Sequence, residues 1–186
     1  MAKTESTMVD LGSEASDFFL PEVRNNQKIG LYDVLGGHGL LVMFISRHCP
    51  YVQHIKKQIT ILSNEYLEKG IRFVAISAND VVNYPDDHPS KLAEMAVEED
   101  WKFPFLFDES QDIARAFNAA CTPDFFLYDK FARLVYRGQM DGSRPKNNIP
   151  NDAKDLRAAM DALIWGKKIN LDQRPSLGCN IKWKNE

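Results

Sequence analysis

The sequence predicts an α/β protein: a mixed central sheet with helices on both faces. Three patterns carry that prediction. Residues 40–46, LLVMFIS, form an unbroken apolar run bounded by Gly39 and Arg47-His48, which is how a strand buried on both faces reads. The apolar period then becomes helical and returns to a strand-like run at 72–77, RFVAIS, so strand, helix and strand succeed one another as a parallel crossover requires. Farther on, DFFLYD and ARLVYRG are close enough to pair as an antiparallel hairpin, which makes the sheet mixed.

Taken in order, residues 1–16 read as a polar lead-in, DFFLPEV as a short strand limited by Pro21, and KIGLYDVLGGHG as a turn-rich approach to the central strand. Val52, Ile55, Ile59, Leu62 and Tyr66 recur at spacings of 3, 4, 3 and 4, which puts them on one face of a helix that ends at Lys69-Gly70. NDVVNYPDDHPS is a loop of turn-forming residues. It leads into a helix from Ser90 to Trp101 with Leu92 and Met95 inward, and PFLFD supplies another short strand. Residues 109–118 suit a brief helix with Ile113, Ala114 and Phe117 on one side, followed by an irregular connection over 119–123. A last helix over 152–165 presents Leu156, Ala159, Met160, Leu163 and Ile164, and the tail, 167–186, reads as irregular.

With 186 residues, 44% hydrophobic and 26% charged, the chain reads as a single folded domain, and no repeat or linker divides it. Acidic residues number 26 and basic ones 23, so the net charge is −3 and no global field recruits nucleic acid. No apolar run approaches the ~20 residues a membrane crossing needs, and the first residues lack the basic and apolar regions of a secretory signal. A cytoplasmic location is therefore expected. Three cysteines, Cys49, Cys121 and Cys179, cannot all pair within one chain, so any disulfide here points to function rather than scaffolding.

Cys49 stands where chemistry is expected in such a sheet, at the carboxyl end of the buried strand. Pro50 suits the first position of a helix, which makes Cys49 its N-cap, facing unpaired amides and the positive end of the helix dipole. Arg47 and His48 add cationic character, so the thiolate is favoured and a nucleophile results. The competing reading makes Cys49 a small buried hydrophobe. His48, Cys49, His54, Asp86, Asp87 and His88 match no closed metal motif, so no metal and no bound cofactor are expected.

The strand LLVMFIS, HCPYV opening a helix and TPD before FFLYD together resemble the thioredoxin-fold superfamily. YPDD, ACTPDFFLYD, LVYRGQMDGSRP and SLGCNIKWK narrow the resemblance to a peroxiredoxin-like branch of the alkyl hydroperoxide reductase and thiol-specific antioxidant group, over residues 18–184. The resemblance implies a cis peptide bond at Thr122-Pro123, facing the active cysteine and leaving backbone groups free to dock a partner. Several positions depart from the pattern. Val52 stands where C-x-x-C proteins carry a second cysteine. Val42 and Ser46 stand where peroxiredoxins carry proline and threonine, Pro123 stands where they carry arginine, and Met43 replaces the buried aspartate of thioredoxin. Ser46 keeps a hydroxyl for the sulfur. Cys121 is either a second redox thiol or a packed one, and Cys179 either a resolving thiol delivered by the tail or part of a tail that packs through Ile181 and Trp183.

The function this implies is a thiol-dependent oxidoreductase acting on a protein or small-molecule thiol or disulfide. Cys49 is then the nucleophile, Arg47, His48 and Pro50 tune it, Thr122-Pro123 docks the partner, and Cys121 or Cys179 releases the product. The alternatives are a peroxidase that reduces hydroperoxides and a non-catalytic redox-sensing module. Oligomeric state is not legible in the residues.

Overall fold

The computed structural model describes residues 3–184. The chain opens with strands β1 (Lys3–Glu5), β2 (Phe19–Pro21) and β3 (Lys28–Gly30) and a single turn of helix, α1 (Leu31–Val34). There follow β4 (Gly39–Phe44), α2 (Pro50–Glu68), β5 (Ile71–Ser77), a 3-10 turn at Pro85–Asp87 and α3 (Pro89–Glu98). The second half carries β6 (Phe105–Phe107), α4 (Asp112–Ala116), β7 (Cys121–Thr122), β8 (Asp124–Asp129), β9 (Leu134–Gly138), α5 (Lys154–Ile164) and β10 (Leu177–Asn180).

The main sheet runs β6-β5-β4-β8-β9. β5 is parallel to both β4 and β6, whereas β8 lies antiparallel to β4 and β9 antiparallel to β8, so the sheet is mixed as the sequence predicts. β4 is central, with Met43 set between Ala75 of β5 and Phe125 of β8. Successive side chains of a strand point to opposite faces. Leu41, Met43 and Ile45 accordingly pack with Val52 and Ile59 of α2, Leu92 of α3 and Met160 of α5, while Leu40, Val42 and Phe44 pack with Leu31 of α1, Ala114 of α4 and Phe117. Each such side chain contributes about 1.5–3 kcal/mol by leaving water. That anchorage makes the end of β4 a rigid platform for the turn into α2.

α2 obeys its predicted signals: Cys49 caps it, Pro50 opens it, and Gly70 turns the chain back toward β5 with φ +84°. The shorter helices differ from their predicted limits at their ends. α4 starts at Asp112 because Gln111 takes a left-handed conformation, and α5 starts at Lys154 because Ala153 does the same. The turn-rich approach contains β3 and α1, with the Asp33 carboxylate accepting the Gly30 amide at 2.8 Å.

Both chain ends correct the sequence reading. The polar lead-in contains β1 and the irregular tail contains β10, and these join β7 in a second sheet of order β1-β10-β7. Pairings between segments so far apart leave no local period to read, and LGCN is too short and glycine-rich to announce a strand. Gly178 lies hard against the β7 edge, where an added Cβ would come within 2.0 Å of the Thr122 carbonyl oxygen. Gly178→Ala is therefore expected to force β10 outward and destabilise the protein by about 1–3 kcal/mol, seen as a lower denaturant midpoint. An unchanged midpoint would show that the tail does not rest on Thr122. Among the described residues, no helix is long and apolar enough to cross a membrane.

Candidate active site

The chain leaves β4, passes through Ser46-Arg47-His48 and enters α2 with Cys49 as the N-cap and Pro50 as the first helical residue. Cys49 has none of its surface exposed. Polar groups nevertheless surround its sulfur. The sulfur lies 3.0 Å from the Thr122 carbonyl oxygen, to which its protonated form donates, and the Val52 amide in the first turn of α2 favours the ionised form. Thr122 belongs to β7 and precedes a cis peptide bond to Pro123, as the family resemblance implies.

Cys179 completes the site. It lies in register opposite Thr122, whose carbonyl oxygen is 3.0 Å from the Cys49 sulfur, so the two cysteines meet at the same residue. A donated S–H bond from Cys179 is the largest influence holding the Cys49 thiol down, to about 6, against the opposing effect of burial. The Val52 amide and Thr122 act in the same direction, and the buried Thr122 hydroxyl makes no hydrogen bond to another group among the described residues. The same bond, together with burial and the charge of Cys49, pushes the Cys179 thiol up. At neutral pH the two sulfurs therefore share one proton, with the negative charge on Cys49. The helix end contributes as expected from the sequence, but a second cysteine contributes more.

The remaining residues predicted at the site are placed differently. Cys121 neighbours Thr122 on β7 but sits on the alternate side, with its sulfur 3.6 Å from the Pro123 carbonyl oxygen. Burial and the Asp124 carboxylate push its thiol up, so it stays protonated and its position fits the packed reading. Asp124 is itself fully buried, and burial raises it to about 7 against a 2.7 Å hydrogen bond from the Ser6 hydroxyl. Arg47 turns to Glu94 of α3 at 3.4 Å instead of to the sulfur. The Ser46 hydroxyl donates to Asp87 at 3.2 Å and is thereby drawn away from Cys49.

Asp87, in the 3-10 turn, organises the junction. Its buried carboxylate accepts the Arg47 amide at 2.6 Å, the Asn79 side chain at 2.7 Å and His48 Nδ1 at 2.5 Å. Burial alone would raise this carboxyl, but the hydrogen bonds from His48 and Asn79 overcome it and hold the group below the usual carboxylate range. His48 is raised in turn, chiefly by the hydrogen bond to Asp87. The sequence shows Asp87 as one more residue of a turn-rich loop, and no spacing marks it. Lys182, three residues past Cys179, is equally unmarked in the sequence; its charge helps the Cys179 thiolate, opposing the upward push on that thiol.

The docking role assigned to Thr122-Pro123 also meets a correction. The β7 edge is already paired with β10, and the Ser176 hydroxyl takes the Pro123 carbonyl at 2.6 Å, so the backbone groups implied to be free for a partner are occupied by the chain's own tail. Beside this loop lies a small, shallow cleft, whose lining includes Tyr51, His54, Pro123, Arg144 and Ser176. Asp141 lies near Arg144 in the same loop. It is buried and accepts the amides of Ser143, Asp152 and Ala153.

Comparison with known proteins agrees with this geometry. The chain is similar over its whole length to an uncharacterized conserved protein of Geobacillus kaustophilus whose crystal structure is known, with 44% identity, 98% of that chain covered and a TM-score of 0.98. It is 24% identical over 155 residues to the thiol-disulfide oxidoreductase ResA of Geobacillus kaustophilus (strain HTA426), covering 83% of this chain and 82% of that protein. The peroxidoxin BcpB of Mycobacterium tuberculosis, 18% identical over 82% of this chain and 95% of its own with a TM-score of 0.62, shares the thioredoxin-like fold. The AhpC/TSA family pattern matches residues 11–137, which include β4, Cys49 and the cis-proline loop. By that match the chain belongs to the AhpC/TSA family.

Proposed function

We propose that the protein is a thiol-dependent oxidoreductase in which Cys49 and Cys179 form the working pair. The observation that carries this reading is that Cys49 and Cys179 meet at Thr122, with Cys49 held down to about 6, chiefly by Cys179. Membership of the AhpC/TSA family and similarity to a protein named as a thiol-disulfide oxidoreductase support it. Cys49 thiolate attacks one sulfur of a substrate disulfide; that S–S bond breaks and the other sulfur leaves as a thiolate, which takes up a proton. Cys179 then gives up its proton and attacks the mixed disulfide, releasing the second substrate thiol. Two electrons have passed to the substrate, and a Cys49–Cys179 disulfide remains for an external thiol to reduce.

Cys49 is fully covered and Cys179 is 3% exposed, so a substrate meets the pair through local opening of the tail strand that covers it. Cys121 takes no part in the exchange. The cytoplasmic setting stays part of the proposal and rests on the sequence alone.

Mild oxidation followed by proteolysis and mass spectrometry tests the pairing. The expected product is a Cys49–Cys179 linked peptide, with Cys121 still alkylatable after denaturation. A Cys49–Cys121 link, or Cys49 recovered only as a sulfenic acid, would overturn it.

A further inference from the structure

His48 has one ring nitrogen that the fold leaves without a partner. Nδ1 is committed to Asp87 at 2.5 Å, while Nε2 is buried and makes no hydrogen bond among the described residues. A buried polar atom left unpaired loses its bond to water without replacement, so its persistence calls for a physical reason. The ring is also tightly held. It stacks on Tyr84 with centroids 5.4 Å apart and planes inclined by 18°. Asp87, which orients it, simultaneously fixes the Arg47 amide, so the same carboxylate sets the approach to Cys49 and the direction of the imidazole. An imidazole oriented through Nδ1 by a carboxylate, with Nε2 unpartnered and a nucleophile as the next residue of the chain, is the arrangement of an acid–base catalyst.

On the reading of Cys49 as a disulfide-attacking nucleophile, we propose that His48 is the general acid that protonates the departing substrate thiolate, and that Asp87 is its positioning residue. As the Cys49 sulfur forms its bond to the near sulfur, the far sulfur leaves with the electron pair of the broken S–S bond and takes the proton from Nε2. The neutral ring can then accept the proton that Cys179 loses before the second exchange.

The charge environment suits a ring that is protonated near neutrality. The Asp87 hydrogen bond and charge raise His48, the charge of Cys49 raises it further, and burial and Lys182 oppose them. Lys182 is itself tied to Asn180 at 2.7 Å and lies over the Tyr84 ring, and Arg47 is paired with Glu94. His48 keeps 13% of its side chain exposed, whereas Cys49 is fully covered.

Two small disulfides separate this role from a structural one. The thiolate released from dithiobis-nitrobenzoate is stable unprotonated at neutral pH, whereas the thiolate released from hydroxyethyl disulfide needs a proton. His48→Gln is expected to slow reaction with hydroxyethyl disulfide by about a hundredfold more than it slows the nitrobenzoate reaction, which reports only its effect on the attacking sulfur. Asp87→Asn tests the same step with the imidazole retained. It removes the group that raises His48, so the alkaline limb of the hydroxyethyl disulfide profile should move to lower pH by more than any change in the nitrobenzoate profile. Equal losses on both disulfides, or no loss on either, would overturn the acid role. A native protein inert to both disulfides would instead overturn the oxidoreductase reading on which it rests.

Discussion

Cys49→Ser is expected to reduce disulfide turnover by roughly a thousandfold or more, because a serine hydroxyl is not ionised at neutral pH and no other sulfur in the chain can replace it. Cys121 and Cys179 are both pushed up, the first by burial beside Asp124 and the second by donating to Cys49. Cys179→Ser should behave differently. The first exchange still occurs, but nothing resolves it, so the protein accumulates as a mixed disulfide with half of the substrate. Steady-state assays with a small disulfide and intact-mass spectrometry check both outcomes. Turnover by the Cys49→Ser protein would remove this sulfur from the chemistry; undiminished turnover by Cys179→Ser, with no adduct, would reduce the tail cysteine to a packing residue.

Cys179→Ala is expected to raise the Cys49 titration from about 6 toward the ordinary thiol value of about 8.5, since it deletes the largest influence holding that thiol down. The sign is set by the form that the bond favours. Cys179 donates to the thiolate, so its loss leaves the thiolate less stable and the proton harder to remove. At pH 7 the native pair keeps roughly nine in ten Cys49 sulfurs ionised, against about one in thirty at an ordinary pKa, a change of about thirtyfold in thiolate. The difference should be small at pH values well below 6, where both proteins are protonated, and should vanish in alkali, where both are ionised. Thiolate absorbance in the ultraviolet measured against pH reads it directly. A midpoint that stays near 6 would assign the effect to the Val52 amide and the helix end, which the substitution leaves in place.

Together with the His48 proposal, these outcomes describe a site with two separate devices. One is a pair of sulfurs sharing a proton behind the tail strand. The other is an imidazole and carboxylate on the strand-to-helix turn. Cys49 belongs to both, as the cap of α2 and the residue after His48. Asp87 is brought to it from beyond β5.

Which of these features are legible in the residues depends on the range of the interaction concerned. The apolar run of β4 and the period of α2 are local, and so is the N-cap at Cys49-Pro50. Each is written in neighbouring side chains, and the structure agrees with each. Arg47 and His48 also adjoin Cys49 in the chain, yet adjacency misleads for Arg47, which Glu94 draws aside, while the direction of the His48 ring is set by Asp87, and no local pattern reveals either partner. Ser46 fails as the partner of the sulfur for the same reason.

Residue order by itself therefore determined the central sheet, its helices and the reactive position, since burial periods and helix caps act within a few residues. Only the tertiary structure decided which cysteine meets Cys49, what occupies the cis-proline edge and which carboxylate orients His48. Those pairings join segments separated by tens to more than a hundred residues, and they form only because the packed sheet closes the chain's two ends over its active strand.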